Sequence, residues 1–303
     1  MSTPLRLGTR GSLLARTQSQ LIAAAIEKAN PSVAVELVIL KTTGDQVQDK
    51  SLAEIGGKGL FTKELELALL RNEIDLAVHS YKDVPVTMPL VDQANLIIAC
   101  VPAREDARDV LICRERASDV QSLATGAIVG TGSLRRQCQL LDIRPDLRIA
   151  PVRGNIDTRI RKLRDGEFDA IVLAMAGLKR TGLYDSESMT LLPIDEMTPS
   201  AGQGALALQT RCDDERTRAL LQPLHHADVA RCVDIERQIV LHLNGDCHSP
   251  IAAHATMSGQ GISLTVALGQ RDGDQPVRRS KQVFDLSDAG SAALQVAQML
   301  ITP

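Results

Sequence analysis

Apolar residues in the first hundred positions follow two spacings, one typical of strands and the other of helices. Short, mostly apolar runs at residues 5–7, 33–40 and 74–78 predict buried strands. Between these runs, residues 12–29 and 59–72 repeat apolar side chains every three to four positions, which predicts two helices. In the first helix the side chains expected to face the core are Leu14, Leu21, Ala25 and Ile26. Strands and helices that alternate in this way are typical of an α/β domain.

The same alternation returns in the middle of the chain. Strands are predicted at residues 127–130, 147–152 and 170–174, with helices at residues 134–143 and 156–165 between them. This second block therefore predicts a second α/β domain.

Residues 199–204, which contain Pro199, Gly202 and Gly204, interrupt the pattern, and the apolar run 205–208 after them is expected to return to the first domain. The last third predicts a small α+β domain, with its helices and strands at residues 228–243, 251–255, 262–268, 277–284 and 289–301. We therefore predict three domains, at residues 1–103 with 203–222, at residues 104–202 and at residues 223–303. The first two are expected to form a hinged cleft.

Composition narrows the class of protein. The chain is 44% hydrophobic and 23% charged with a net charge of −3, as expected of a globular protein. No apolar run approaches the roughly 20 residues that cross a bilayer, and Arg6, Arg10 and Arg16 interrupt the region where a signal peptide would be hydrophobic. We expect a cytoplasmic protein with no membrane partner.

Aromatic and sulfur-containing residues exclude further classes. With no Trp, two Tyr and three Phe, the chain offers few platforms for stacking bases, so nucleic acid is not expected as a partner. The six cysteines contain no CxxC pair and are expected to be free thiols. The closely spaced ligand candidates, His225-His226 and Cys247-His248, are adjacent pairs that rarely share a metal ion, so no metal is expected.

The segment from residue 135 to residue 164 holds nine basic and three acidic side chains. Gly130-Thr131-Gly132-Ser133 precedes the helix that carries Arg135 and Arg136, so backbone N–H groups, hydroxyls and guanidinium groups meet at one helix N-terminus. Arg153-Gly154-Asn155 opens the next helix, and Arg159 follows one turn later. This pattern predicts a site for several carboxylates or phosphates. Solvated surface is the alternative, which we adopt for Arg144, Arg148, Arg161, Lys162 and Arg164.

Three loops carry further candidate chemistry. Arg10-Gly11-Ser12 at the first strand-to-helix turn is either a third anion cradle or a simple helix cap. Asp83 follows a strand, where α/β sheets bind ligands, and its carboxyl can exchange protons with an amine and stabilise a cation, or else pair with Lys82. Cys247 lies in a turn-rich loop that would expose a thiol, although free cysteines are usually small buried side chains.

Two common enzyme classes lose support. Gly56-Gly57-Lys58-Gly59 is not a nucleotide P-loop, because Leu52 and Gly59 stand where that motif needs Gly and Ser or Thr. The dinucleotide fingerprint and the GxSxG elbow of serine hydrolases are also missing from the sequence.

Taken in order, eight motifs resemble those of the porphobilinogen deaminase (hydroxymethylbilane synthase) family. The resemblance covers residues 5–256 and is carried by Thr9-Arg10-Gly11-Ser12, Gly56-Gly57-Lys58-Gly59-Leu60-Phe61, Val78-His79-Ser80-Tyr81-Lys82-Asp83-Val84-Pro85, Gly130-Thr131-Gly132-Ser133-Leu134-Arg135-Arg136, Val152-Arg153-Gly154-Asn155, Ala176-Gly177-Leu178-Lys179-Arg180, Gly202-Gln203-Gly204 and Gly245-Asp246-Cys247.

The resemblance implies a fold and an activity. The fold would be α/β, with two periplasmic-binding-protein-like α/β domains forming a hinged cleft and a small α+β C-terminal domain. The activity would be that of a monomeric transferase of tetrapyrrole (haem) biosynthesis, which joins four porphobilinogen molecules head to tail, releases ammonia each time and yields hydroxymethylbilane. Its cofactor would be a dipyrromethane, assembled from the substrate and held by a thioether to Cys247. The catalytic carboxyl would be Asp83, which protonates the leaving amine and stabilises positive charge on the rings.

Motif positions imply the binding residues. Residues expected to contact the cofactor are Cys247, Arg10, Ser12, Lys58, Lys82, Asp83, Thr131, Ser133, Arg135, Arg136, Arg153 and Arg159. Residues expected to contact the substrate are Arg10, Phe61, Arg153, Arg159 and Arg180. Phe61 would lie over the ring system or pack in the core, and Gln203 is interpreted as a hinge residue. Where relatives carry Lys, Ser and Met, this chain has Glu54, Gly132 and Tyr81, and Glu54 receives no role.

Two other functions remain open from the residues alone. A two-domain anion-binding or ligand-sensing protein would explain the arginines but would leave Asp83 and Cys247 without a role. An RNA-binding protein is disfavoured by the few aromatic residues and by the negative net charge.

Overall fold

A computed structural model describes residues 3–42, 62–89, 91–92, 94–115, 117–246, 248–259, 261–270 and 276–301. The chain divides into two compact units, which are described one at a time. The first contains Met1–Arg104 and Ala205–Ala230, and the second contains Glu105–Gly204 and Arg231–Pro303.

The first unit is built on a five-stranded sheet. Its elements are β1 (Leu5–Arg10), α1 (Leu13–Ala29), β2 (Val35–Leu40), α2 (Lys63–Leu70), β3 (Leu76–Ser80), β4 (Leu96–Cys100), β10 (Leu206–Arg211) and α6 (Glu215–Leu221). The order of the strands in the sheet is β2-β1-β3-β10-β4. Strand β1 pairs in parallel with β2 and β3, whereas β10 runs antiparallel to β3 and β4. The predicted return of residues 205–208 to the first domain is therefore confirmed.

Helix α1 covers the sheet of the first unit with a face that differs from the predicted one. Gln18, Ser19, Ile22 and Ile26 are its buried residues, whereas Leu21 is 51% exposed. The prediction for Leu21 was wrong because buried polar residues, which a hydrophobic pattern cannot reveal, share the inner stripe with Ile22 and Ile26.

The second unit also contains a five-stranded sheet. Its elements are β5 (Asp109–Cys113), β6 (Ile128–Gly130), α3 (Leu134–Ile143), β7 (Arg148–Ala150), α4 (Ile156–Arg164), β8 (Ala170–Ala174), α5 (Met175–Arg180) and β9 (Met189–Leu191). The order of the strands in the sheet is β7-β6-β8-β5-β9. Strand β6 is parallel to β7 and β8, and β5 is antiparallel to β8 and β9. Apolar side chains of β5 and β8 pack on both faces of this sheet, which explains their continuous apolar sequences.

The C-terminal part forms a three-stranded antiparallel sheet with a helix. Its elements are α7 (Ala227–His242), β11 (Ile251–Ser258), β12 (Gly261–Leu268), β13 (Arg278–Asp285) and α8 (Ala289–Ile301), and the strand order is β11-β12-β13. The predicted fold class, two α/β domains and a small α+β domain, is confirmed. The three domain boundaries and the hinged cleft stay predictions. Among the residues that the structure describes, no helix has the length and apolar character to cross a membrane.

Candidate functional site

A polar pocket opens at the carboxyl end of the first sheet. Strand β1 ends at Arg10 and β3 ends at Ser80, and a single 3-10 turn, Tyr81–Asp83, follows β3. Polar residues lining this pocket are Arg10, Ser12, Gln18, Thr62, His79, Ser80 and Asp83. Two parts of the chain that the sequence singled out, residues 10–12 and 79–83, thus meet where α/β sheets commonly bind ligands.

The first turn of α1 forms one wall of the pocket. Ser12 is the N-cap, and its Oγ accepts a hydrogen bond from the backbone N–H of Ala15 at 3.3 Å. One turn further, Gln18 Nε2 donates to Ser80 Oγ at 3.0 Å and links the helix to β3. Ser12 therefore caps α1, as one of the two interpretations of this turn predicts, and the same turn lines the pocket.

Asp83 is exposed in this pocket on a firmly held turn. The N–H of Tyr81 donates to the carbonyl of Ala205 at 3.0 Å, and the N–H of Val84 donates to the carbonyl of Tyr81 at 3.1 Å. The neighbouring Val84 is buried and anchors the turn, and Lys82 lies half-buried within it. A carboxyl in this position can contact a ligand while the hydrogen bonds of the turn stay intact.

Arg135 and Arg136 begin helix α3 in the second unit and are almost completely buried. Both pair with the fully buried carboxylate of Asp109, at 2.8 Å from Arg135 Nη2 and 2.7 Å from Arg136 Nη2. Their Nη1 atoms donate to the carbonyls of Thr198 and Val172. Gln203 Nε2 also donates to Asp109, at 2.8 Å, and ties residues 202–204 to the same cluster.

The charges in this cluster do not balance. Burial opposes the ionisation of Asp109, but Arg135 and Arg136 outweigh that effect and hold the pKa of its carboxyl far below the usual value. Two guanidinium groups thus face one carboxylate. Within the described ranges, Nε of Arg136 is buried and has no hydrogen-bond partner. A buried N–H donor of this kind is costly unless an acceptor reaches it.

The other predicted anion ligands lie around the same sheet ends. Thr131 is buried and its Oγ1 accepts from the N–H of Ser133 at 3.2 Å, while Ser133 makes no side-chain cap. Arg153 is exposed before helix α4. Arg159 Nε donates to the carbonyl of Gly154 at 2.8 Å, and Arg180 Nη2 donates to the carbonyl of Gly204 at 2.7 Å. Burial lowers the pKa of Arg180, and the charge of Glu105 opposes this.

One interpretation of the basic segment was wrong. Arg144, expected to be solvated surface, has only 14% of its side chain exposed and pairs with Asp146 at 2.7 Å. Its Nη1 also donates to the carbonyls of Gln121 and Leu123. Arg144 therefore binds the backbone carbonyls of Gln121 and Leu123, which are distant in sequence. The density of charge around Arg144 in the sequence cannot reveal this role.

Comparisons with known proteins decide the family. A family model described as "Porphobilinogen deaminase, dipyromethane cofactor binding domain" matches residues 5–219, and the C-terminal domain of the same family matches residues 230–302. The chain belongs to the porphobilinogen deaminase family.

Individual relatives agree over most of the chain. The porphobilinogen deaminase of Geobacter sulfurreducens is 46% identical, covering 91% of this chain and 85% of that protein. The enzyme of Syntrophobacter fumaroxidans is also 46% identical, covering 91% and 88%. Among solved structures, the VFT2 domain of Bordetella pertussis BvgS aligns at 13% identity with a TM-score of 0.41, covering 76% of this chain and 91% of that domain.

Membership of this family makes the protein a transferase with a dipyrromethane cofactor. The acetate and propionate chains of such a group are carboxylates, and the second unit offers a buried N–H of Arg136 that needs an acceptor, with a net positive charge around it. The residues present therefore fit the cofactor. Cys247, Lys58 and Phe61, which the sequence assigns to cofactor and substrate, lie outside the described residues.

Sequence reasoning missed several residues of these sites. Asp109 carries no local signal, because its role depends on arginines that follow more than twenty positions later. Gln18 was overlooked because it is a polar residue on the inner face of α1, which a hydrophobic pattern cannot reveal. His79 was included in the strand-end motif but received no role, although it lines the pocket with Asp83.

Proposed function

We propose that the chain joins four porphobilinogen molecules head to tail, with loss of ammonia at each addition, and releases the linear tetrapyrrole hydroxymethylbilane by hydrolysis. The observation that carries this proposal is the exposed carboxyl of Asp83, which shares one pocket with Arg10 and Ser12. A carboxyl can act on the aminomethyl group of the substrate while the cation and the hydroxyl bind its acid chains.

Asp83 is the proposed catalytic residue, and the balance of each addition suits a single carboxyl. The bond between the aminomethyl carbon and nitrogen breaks, and the carboxyl gives its proton to the leaving amine. The remaining carboxylate stabilises the positive charge on the substrate ring. When the carbon–carbon bond to the preceding ring forms, Asp83 would take back the proton that this ring loses. The carboxyl is thus ready for the next porphobilinogen.

Cationic and hydroxyl side chains are proposed to hold the acid chains. The proposed cofactor ligands are Arg10, Ser12, Lys58, Lys82, Asp83, Thr131, Ser133, Arg135, Arg136, Arg153 and Arg159, with Cys247 as the thioether link. The proposed substrate ligands are Arg10, Phe61, Arg153, Arg159 and Arg180. When bound, the dipyrromethane supplies the nucleophilic ring carbon to which the first substrate is joined. Guanidinium groups suit this task because they bind carboxylates in a bidentate manner.

We assign the chain to the cytoplasm as a monomer that acts on a small molecule, without a nucleic-acid or membrane partner. Family resemblance supports these assignments, and light scattering on the purified protein tests the monomer.

The test of the function is Asp83→Asn in protein supplied with preassembled cofactor. An amide keeps the shape but neither donates a carboxyl proton nor carries a negative charge. Ammonia release should therefore fall by several orders of magnitude, since proton transfer alone supplies about 10² to 10⁴-fold. Asp83→Glu should retain more activity, and Asp165→Asn, at an exposed helix end, should behave like the wild type. Ammonia release from Asp83→Asn at the wild-type rate would contradict the proposal.

A further inference from the structure

A series of hydrogen bonds links the pocket of the first unit to its core. His79 Nε2 lies 3.1 Å from Gln209 Oε1, and Gln209 Nε2 donates to Glu66 Oε1 at 3.1 Å. His79 is 5% exposed, and both Gln209 and Glu66 are completely buried. Only His79 reaches the pocket. The proposed reaction gives none of these three residues a task.

Strand register explains why the three side chains meet. In the antiparallel pair of β3 and β10, His79 lies opposite Ala207, so Gln209 is its diagonal neighbour on the same face of the sheet. Glu66 comes from α2, on the side where that helix packs against the same sheet. Three polar residues in an apolar layer are retained only when their hydrogen bonds are satisfied.

The donors around Glu66 set the direction of the hydrogen bonds between His79, Gln209 and Glu66. Glu66 accepts at both oxygens, from Gln209 Nε2 at Oε1 and from the backbone N–H of Val91 at Oε2, at 2.9 Å. The amide of Gln209 must then present its oxygen to His79. As a result, Nε2 of His79 carries the hydrogen, and Nδ1 carries the lone pair.

The imidazole is neutral at the pH of the cell. Burial lowers the pKa of His79 to about 4, and the positive charge of Arg10 acts in the same direction, whereas the hydrogen bond that Nε2 donates to Gln209 Oε1 opposes both effects. Among the described residues His79 makes no second hydrogen bond through its ring. A neutral Nδ1 is a hydrogen-bond acceptor and would bind an N–H donor of a ligand in this pocket.

We propose that His79, held in the Nε2–H tautomer by Gln209 and Glu66, is a substrate-binding residue whose Nδ1 accepts a hydrogen bond from an N–H group of porphobilinogen. This inference rests on the proposed function and deepens it. Arg10 and Ser12 recognise the acid chains, whereas His79 recognises the nitrogen side of the molecule, namely the pyrrole N–H or the aminomethyl group. Glu66 and Gln209 act through His79 and are positioning residues.

The tautomer is tested by ¹⁵N NMR of the histidine rings in the cofactor-loaded protein, with His79 assigned from the spectrum of His79→Asn. The wild type should show Nε2–H with a free Nδ1, and adding a porphobilinogen analogue that lacks the aminomethyl carbon and nitrogen, or porphobilinogen to the Asp83→Asn protein, should shift Nδ1. Glu66→Gln allows the Gln209 amide to reverse, so this variant should move His79 toward the Nδ1–H form. An Nδ1–H tautomer in the wild type, or an Nδ1 signal that neither ligand shifts, would overturn the inference.

Binding measurements supply the second readout. His79→Asn and Glu66→Gln should weaken porphobilinogen binding by about 5-fold or more, seen as a raised KM with a smaller change in kcat. If the analogue is also weakened, His79 binds the pyrrole N–H; if only porphobilinogen is weakened, it binds the aminomethyl group. His226→Gln, at an exposed histidine outside the pocket, is the matched control and should bind normally.

Failure of this inference differs from failure of the proposed function. Unchanged KM and analogue binding in both variants would contradict the role of His79 while wild-type tetrapyrrole synthesis still stood. A wild-type protein that formed no tetrapyrrole from porphobilinogen would contradict the proposed function itself.

Discussion

The turn from β1 into α1 and the turn from β6 into α3 share a local plan, in which a strand ends and a helix begins with a serine at its N-cap. In the first unit Ser12 caps its helix and Gln18 donates a hydrogen bond to Ser80, and both of these contacts are between neutral groups. In the second unit Ser133 forms no cap, and the helix instead begins with two buried arginines around Asp109. The cap and the Gln18–Ser80 contact of the first turn are thus neutral hydrogen bonds, whereas the second turn holds a buried cluster of charges.

This difference predicts unequal sensitivity to substitution. Loss of a neutral hydrogen bond costs about 1 kcal/mol, whereas removing one partner of a buried ion pair leaves an uncompensated charge in the core. Substitutions in the charged cluster at the second turn should therefore lower the free energy of unfolding far more than substitutions of neutral groups at the first turn.

The largest effect is expected for Asp109→Asn. The amide keeps the size of the side chain but leaves Arg135 and Arg136 without a counter-ion, so the free energy of unfolding should fall by about 3 to 5 kcal/mol. Urea unfolding measures this change. Asp195→Asn, whose carboxylate is 63% exposed beside Lys281, is the control and should change stability little. Equal effects at the two positions would remove the distinction between the turns.

A somewhat smaller effect is expected from the pH dependence of the first unit. Because the pKa of His79 is near 4 in the folded protein and about 6.5 in the unfolded chain, the unfolded state binds more protons between these values. The part of the free energy of unfolding that depends on the neutral form of His79 is complete above pH 6.5. It is lost as the pH falls toward 4, by about 3 kcal/mol in total. The difference between the free energies of unfolding of the wild type and of His79→Gln, measured from pH 7 to pH 4, should therefore change by about 3 kcal/mol. A constant difference would contradict the neutral buried imidazole.

Gly204→Ala should destabilise the segment that is tied to the charged cluster. Gly204 has φ +86°, and a Cβ there would clash with the carbonyl oxygen of Glu105. Strain in the left-handed region alone costs about 1 to 2 kcal/mol, and the clash adds to it. Gly126→Ala, at φ +70° with no atom near the new Cβ, isolates the strain and should cost less in thermal unfolding. Equal losses would show that the close approach of Glu105 carries no weight.

The smallest effect is expected from replacing the serine at the N-cap position of each helix, Ser12 or Ser133. Ser12→Ala removes the hydrogen bond that Ser12 Oγ accepts from the N–H of Ala15 and should lower the free energy of unfolding by about 1 kcal/mol. Ser133→Ala removes no cap and should leave the unfolding free energy nearly unchanged. A larger loss at Ser133 than at Ser12 would reverse the proposed contrast.

Local periodicity predicted part of the fold with correct bounds. Helices α3 and α8 were found at their observed residues because each repeats apolar side chains at helical spacing, and strand β8 was found as an apolar run in the alternation of strands and helices. Strands β4 and β5 were not predicted, since a short apolar run beside loops has no period of its own and is defined by its partners in the sheet. The order of the strands in each sheet likewise depends on long-range pairing.

The candidate sites show the same limit. Arg10, Ser12 and Asp83 could be predicted because strand-to-helix turns and strand ends are local features, and the structure brings them to one pocket. The burial of Arg135 and Arg136 could not be predicted, because it depends on Asp109 from another strand. The roles of the site residues stay predictions until they are tested by substitution.

The central claim is that this chain holds a dipyrromethane through Cys247 and extends it, and intact mass after incubation with porphobilinogen tests it most directly. The wild type should be heavier than the bare chain by two porphobilinogen units less the ammonia lost on their attachment, with further units during turnover. Cys247→Ala should keep the mass of the bare chain, while Cys232→Ala, at a buried thiol, should carry the same adduct as the wild type. A wild type at the mass of the bare chain, or an adduct retained by Cys247→Ala, would contradict the account.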